Sequence, residues 1–220
     1  MTLPKPAKEK QRDKVRTRAR LLLAARCIFA RNGFEGTSME SIAREAGVSK
    51  GLIYHYFNSR DALFIEALDA EVAGLRTRQA DLELRALEPV QAIRRLTTAT
   101  FDYFSENPRL ISLLNEENRL EGRLIRRSDA LTTAYDALID ALDDILQRGR
   151  AEGLFRSGIT SLSLYLSIAG LCFHYSANRH TLGAVFRRSF SDPEEIEKRR
   201  AEIVDFVMHG VAATSKLSAL

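Results

Sequence analysis

Apolar side chains recur at three- and four-residue steps along most of the chain, the signature of amphipathic helices. Leu21, Leu22, Ala25, Ile28 and Phe29 give one apolar face to a helix expected from Asp13, and Asn32-Gly33 ends it with a residue suited to a left-handed cap. Thr37-Ser38-Met39-Glu40 reads as a capping box that opens a second, short helix, stopped by Gly47. Ser49 caps a third helix, Lys50 to Phe57, and Asn58 or Ser59 caps a fourth that passes Leu63, Ile65 and Leu68 to about Leu84. Further helices are predicted near 89–106, 108–122, 125–153, 160–182 and 193–213, with Pro89, Pro108 and Pro193 each at a first helical turn. No run of period-two alternation bounded by turn residues stands out, and no internal repeat. The pattern predicts an all-α chain of about nine helices: an N-terminal three-helix helix-turn-helix domain and a larger C-terminal helical bundle. The expected divisions are a disordered basic arm at 1–12, a helix-turn-helix domain at 13–58, a connecting helix at 59–84 and the bundle at 85–220.

Charge sharpens this division. The net charge of +4 combines +8 over residues 1–60 with −4 over residues 61–220. A basic end on an acidic body suggests that one end alone meets a polyanion. The two cysteines, Cys27 and Cys172, sit in apolar helical stretches without metal-type spacing, and read as small core residues of a reducing compartment. His55, His174, His180 and His209 form no metal-binding motif, so neither a metal nor another cofactor is expected. The start of the chain is basic and proline-bearing, unlike a signal peptide. The most apolar run, Leu162 to Ala177, includes three serines, Tyr165 and His174 and is short of a membrane span. A cytoplasmic protein is therefore expected.

The stretch SMESIAREAGVSKGLIYHYF carries the most specific information. Two helices that cross steeply need a small residue at the contact, and Ala43 supplies it. The tight turn needs a residue that tolerates positive φ, and Gly47 follows four residues later. Ile42, Val48, Ile53 and Phe57 are expected to form a small core with Ile28 and Phe29. That leaves Lys50, Gly51, Leu52, Tyr54, His55 and Tyr56 largely outside, as an element inserted in a DNA major groove requires. Lys50 can reach guanine O6/N7 or a phosphate, Gly51 lets the backbone approach, and Leu52 can touch a thymine methyl. Tyr54, His55 and Arg60 can bond phosphates, while Thr37, Ser38 and Ser49 offer hydroxyl and backbone N–H groups at helix starts.

These residues carry a resemblance. Phe29-x3-Gly33-Phe34-x2-Thr37-Ser38, then Ile42-Ala43-x2-Ala46-Gly47-Val48-Ser49-x-Gly51-x-Ile53-Tyr54-x-Tyr56-Phe57, then Ser59-Arg60-x2-Leu63, resembles the TetR family of bacterial regulators over about residues 15–65. Arg60 departs from the family, which usually has lysine there. The resemblance implies a homodimer, a nine-helix fold, a ligand pocket in the C-terminal domain and ligand control of the separation of two reading heads. The run Gly149 to Arg156 is similar to the family's usual end of the seventh helix.

Helix 160–182 is apolar nearly all round, so it must be covered on more than one side. Together with helix 193–213, which offers Ile196, Ile203, Val204, Phe206, Val207 and Val211, it is expected to form an isologous dimer interface. Phe101, Phe104, Leu113, Asn118, Tyr135, Tyr165, Phe173, His174 and Asn178 are candidates to line an effector pocket, and each has core packing as the competing role. Glu116 to Arg119 can orient a ligand or form a solvated helix face.

The expected function is a ligand-responsive transcriptional regulator, a repressor released from a palindromic DNA operator by a small-molecule inducer. An activator or ligand-independent regulator of the same fold is the alternative. A helical enzyme is remote, since no nucleophile–base pair or glycine-rich phosphate loop is present.

Overall fold

A computed structural model describes residues 7–213, leaving aside the side chains of residues 7–10 and Thr132. Nine α-helices are found among the described residues: α1 (Ala7–Asn32), α2 (Met39–Glu45), α3 (Lys50–Tyr56), α4 (Arg60–Ala80), α5 (Pro89–Glu106), α6 (Pro108–Arg119), α7 (Asp129–Ala151), α8 (Ser161–Phe186) and α9 (Pro193–Val211). Short 3-10 turns at Leu84–Ala86 and Ile125–Arg127 precede α5 and α7. Leu84 and residues 125–127 are thereby taken from the longer helices expected there. Glu83 adopts a left-handed conformation (φ 47°), which ends α4 before Leu84. The expected arm over 1–12 also needs correction. Helix α1 begins at Ala7, because Ala-Lys-Glu-Lys-Gln-Arg is a run of strong helix formers. Residues 1–6 lie outside the described residues. The only pairing of β type among the described residues is an isolated antiparallel bridge, Phe155 with Ala212.

The chain divides into two compact units, Met1–Glu71 with Ser112–Asp129, and Val72–Ile111 with Ala130–Leu220. This differs from the division expected from local pattern, because α6 from Ser112 onward belongs to the first unit. Helix α4 supplies residues to both.

In the first unit the apolar stripe of α1 is buried as expected at Leu21, Ala25, Ile28 and Phe29. Three aromatic rings form its centre. Phe64 lies edge-on to Phe29 and Phe34, with centroids 5.1 and 5.4 Å away, and Phe29 stacks on Phe34 at 6.1 Å. Ile42, Ile53 and Phe57 are fully buried beside them, whereas Val48 is half-buried. A part-buried ion pair, Arg26 Nε to the buried Glu71 Oε1 at 2.7 Å, adds a polar tie between α1 and α4.

In the second unit α5 packs against α8 and α9. Its buried positions, Ala92, Ile93, Leu96, Thr97, Thr100, Phe101 and Phe104, recur with helical period. Thr160 caps α8 by accepting a hydrogen bond from the Ser163 N–H, and α8 runs to Phe186, four residues past its expected end. After α7 the chain doubles back so closely that a Cβ on Gly149 would lie 2.1 Å from the Phe155 ring. Only glycine permits that approach. No described helix is long and apolar enough to cross a membrane.

Phe64 is fully buried in the aromatic centre. Replacing it with alanine is expected to destabilise the first unit by about 3–5 kcal/mol, measured by urea denaturation followed by circular dichroism.

Candidate nucleic-acid interface

The turn between α2 and α3 is built by backbone hydrogen bonds. The Val48 N–H donates to the Ala43 carbonyl at 2.9 Å and the Gly47 N–H to the Arg44 carbonyl at 3.0 Å. Gly47 takes φ +63°, which glycine adopts without strain. Ala43 is buried where α2 ends and keeps the crossing tight. Helix α3 then presents Lys50, Gly51, Tyr54 and His55 to solvent. Leu52 and Tyr56 are half-buried, and the Tyr56 ring meets His55 edge-on at 5.3 Å. Ser49 is exposed at the N-cap of α3, and its hydroxyl makes no cap bond.

Two expectations here are corrected. The capping box of α2 uses Ser38 and Ser41 instead of Thr37 and Glu40: Ser38 Oγ accepts from the Ser41 N–H at 3.1 Å, and the Ser38 N–H donates to Ser41 Oγ at 3.2 Å. Thr37 is buried, and its hydroxyl donates to the Gly33 carbonyl at 2.6 Å, so it closes the α1–α2 turn and offers nothing at the surface. Arg60 is partly exposed and pairs with Glu35 at 3.4 Å. Its guanidinium lies 4.1 Å from the Phe34 ring centroid and donates to the Thr37 carbonyl at 3.1 Å. Ser38 remains exposed.

Sequence reasoning missed the carboxylate beside the reading helix. Released from the expected capping box, Glu40 pairs with Lys50 Nζ at 2.6 Å. Their mutual hydrogen bond holds the Glu40 carboxyl below its ordinary value and the Lys50 ammonium above its own. Both groups are solvated, so the pair orients Lys50 more than it stabilises the fold.

Glu116 and Glu117 are neither a ligand cluster nor a solvated face. Glu116 Oε1 accepts the Phe34 N–H at 2.7 Å, and the carboxylate takes both arms of Arg119, at 2.6 and 3.1 Å. Glu117 Oε1 accepts the N–H groups of Leu124 and Ile125, each at 2.8 Å. Helix α6 is thereby fastened to the α1–α2 turn.

The nine pocket candidates are scattered. Leu113 is fully buried and Asn118 exposed, both in the first unit. In the second unit, Phe101 packs on Tyr175 and Phe104 on Phe173; Phe101 and Phe104 are buried in the core, and Phe173 is half-buried. His174 is exposed, with the Asn178 amide donating to its carbonyl at 2.9 Å. Tyr135 and Tyr165 meet edge-on at 5.7 Å. Among the described residues, no group of three or more His, Cys, Asp or Glu side chains is placed to hold a metal ion. Cys172 is buried, and burial pushes its thiol up to about 12, which leaves it an unreactive core group. Cys27 is only half-buried.

Comparison with known proteins accords with this architecture. Residues 21–67 match the profile of bacterial regulatory proteins of the tetR family, and residues 89–207 match that of the tetracyclin repressor-like C-terminal domain. The chain is 34% identical over 196 residues to the HTH-type transcriptional repressor NicS of Pseudomonas putida, covering 89% of this chain and 92% of that protein. The chain belongs to the TetR family. It is accordingly a DNA-binding transcriptional regulator, with α2 and α3 as its helix-turn-helix. A solved transcriptional regulator of Streptomyces coelicolor shares the TetR-family fold at TM-score 0.67 and 25% identity, covering 90% of this chain and 99% of its own. The regulator FadR of Bacillus subtilis, solved in complex with stearoyl-CoA, superposes at TM-score 0.67 with 16% identity, over 87% of this chain and 98% of its own.

The Arg119 ion pair, opposed by burial and helped by the Phe34 N–H, lowers the Glu116 pKa. A carboxylate depressed in the folded state adds stability above its ordinary pKa of 4.5, lost as pH falls through the lower folded value. Glu116→Gln is expected to flatten the acid limb of stability against pH, read from thermal midpoints between pH 3 and 6, with the pH 7 fold retained.

Proposed function

We propose that the protein is a repressor that binds a palindromic operator as a homodimer and leaves it when a small-molecule effector occupies the C-terminal unit. The observation that carries the DNA-binding part is the exposed row of Lys50, Gly51, Tyr54 and His55 on a short helix set by a closed turn. Lys50 reads a base edge once the anionic DNA replaces Glu40 as its partner. Tyr54 and His55 hold phosphates, Ser38 and Ser49 offer hydroxyls at the starts of α2 and α3, Leu52 and Tyr56 add contacts at their exposed edges, and Arg60 braces the turn. A repressor at 34% identity and a fold neighbour solved with stearoyl-CoA support repression and effector control.

Dimerisation is inferred from α8 and α9. Leu162 and Leu166 on α8 are 54% and 60% exposed, and Phe206 on α9 is 68% exposed. A second copy related by a two-fold axis would cover the three residues on both chains at once. Two heads spaced by about one DNA turn, roughly 34–36 Å, then read the two half-sites. An effector that prefers another spacing shifts the population and weakens the complex. The reading assigns no catalytic step to the protein and places it in the bacterial cytoplasm.

The deciding experiment is fluorescence anisotropy on DNA from the protein's own upstream region, with and without compounds found to bind by thermal shift. Bound compounds that never weaken the complex would refute effector control. Lys50→Ala is expected to lower discrimination at one operator position by roughly tenfold to a hundredfold. A uniform loss over all sequences would make Lys50 a phosphate contact. Replacing Leu166 and Phe206 together with glutamate is expected to yield monomers in analytical ultracentrifugation and to remove tight operator binding. A parent chain that is monomeric at micromolar concentration would end the dimer proposal.

A further inference from the structure

The second unit holds a cavity of about 490 Å³. Its wall is largely apolar: Ala134, Ala137, Leu138 and Ala141 of α7 face Ala80 and Leu84. Set into that wall is Arg76, only 9% exposed. One arm of its guanidinium donates to Gln79 Oε1 and the other to the Tyr165 hydroxyl, at 2.9 Å for the latter. Its Cζ lies over the Tyr135 ring, 3.8 Å from the centroid. Gln79 is itself held by its amide donating to Thr100 Oγ1 at 2.9 Å. These partners orient the guanidinium and none of them neutralises it.

Tyr165 stays a neutral phenol, since burial first of all pushes its pKa to about 12. No Asp or Glu pairs with Arg76 among the described residues, and its Nε is buried with no hydrogen-bond partner. Glu83 and Arg85 also line the cavity, but both are exposed to water and opposite in charge. A buried cation without an anion is costly to keep. That cost is offset when a ligand brings the anion into the cavity. A single buried guanidinium suits a monoanion with two coplanar oxygens, and the apolar wall suits a hydrocarbon body.

We infer that this cavity is a ligand site for small carboxylates with an apolar body, and that Arg76, oriented by Gln79, Tyr165 and Tyr135, is its specificity-determining residue. That such a carboxylate is the effector rests on the effector-released reading above.

The test is isothermal titration of the full chain with octanoate and 4-phenylbutyrate, each against its neutral amide. At least one acid is expected to bind about tenfold or more tightly than its amide. Arg76→Met should erase that difference. Arg76→Lys should keep part of it. Ala141→Phe, which fills the cavity and leaves Arg76 in place, should weaken acid and amide alike. Thermal melting checks the fold of each variant, and Ala141→Phe carries the test if Arg76→Met does not fold. The inference is overturned if neither acid binds, if both amides match their acids, or if the preference survives Arg76→Met or binding survives Ala141→Phe unchanged. Operator anisotropy separates it from the functional reading. Carboxylates bound through Arg76 that leave the DNA complex intact would sink effector release and retain the site. Release by other compounds, with no carboxylate bound, would do the opposite.

Discussion

Phe34 is the residue through which the first unit is assembled. Its ring sits against Phe29 of α1 and Phe64 of α4, and its other surroundings are the guanidinium of Arg60 and, more distantly, that of Arg123. Its backbone N–H is taken by Glu116 of α6. A residue in the loop after α1 thus meets three helices through apolar, cation–π and charge-assisted contacts together. The loop cannot shift without disturbing all of them, and α2 starts from that loop. The position of the helix-turn-helix on α1 and α4 follows from this packing more than from anything inside α2 or α3, each only seven residues long. Helices so short are not stable alone.

On that support the surface chemistry is free to serve recognition. The residues that shape the turn are apolar or small, and those that project from α3 are polar or aromatic, so the two roles fall on different side chains. Glu40 is the exception. It holds the Lys50 ammonium in one place and sets a negative charge beside α3. Such a solvated pair contributes little to stability in water.

The second unit spends stability differently. Its helices α5, α8 and α9 bury ordinary apolar stripes, but Arg76 and Gln79 stand on the α4 face where a purely structural helix would continue the series Leu68, Val72, Leu75. A cation held by aromatic faces and neutral oxygens departs from the economical choice of an apolar side chain at that place. The exposed Leu162, Leu166 and Phe206 are a second departure, on the outside of the same unit.

The amino-acid sequence by itself determined what depends on near neighbours: the helical periods, the prolines at the first turns of α5, α6 and α9, the positive-φ glycine of the turn, and part of the division of α2–α3, in which Val48, Leu52 and Tyr56 are half-buried instead of falling on either side. These are legible because their causes lie within four or five positions along the chain. It also marked the basic end and the TetR-family motif. Only the tertiary structure decided which two hydroxyls cap α2, that Thr37 is buried, that Arg60 braces the loop, and that α6 from Ser112 onward joins the first unit. The same holds for the polar setting of Arg76. Phe34 and Glu116 are 82 residues apart, and Arg76 and Tyr165 are 89 apart. Burial and pairing over such separations arise when helices pack, and no spacing within one helix encodes which distant side chain will arrive.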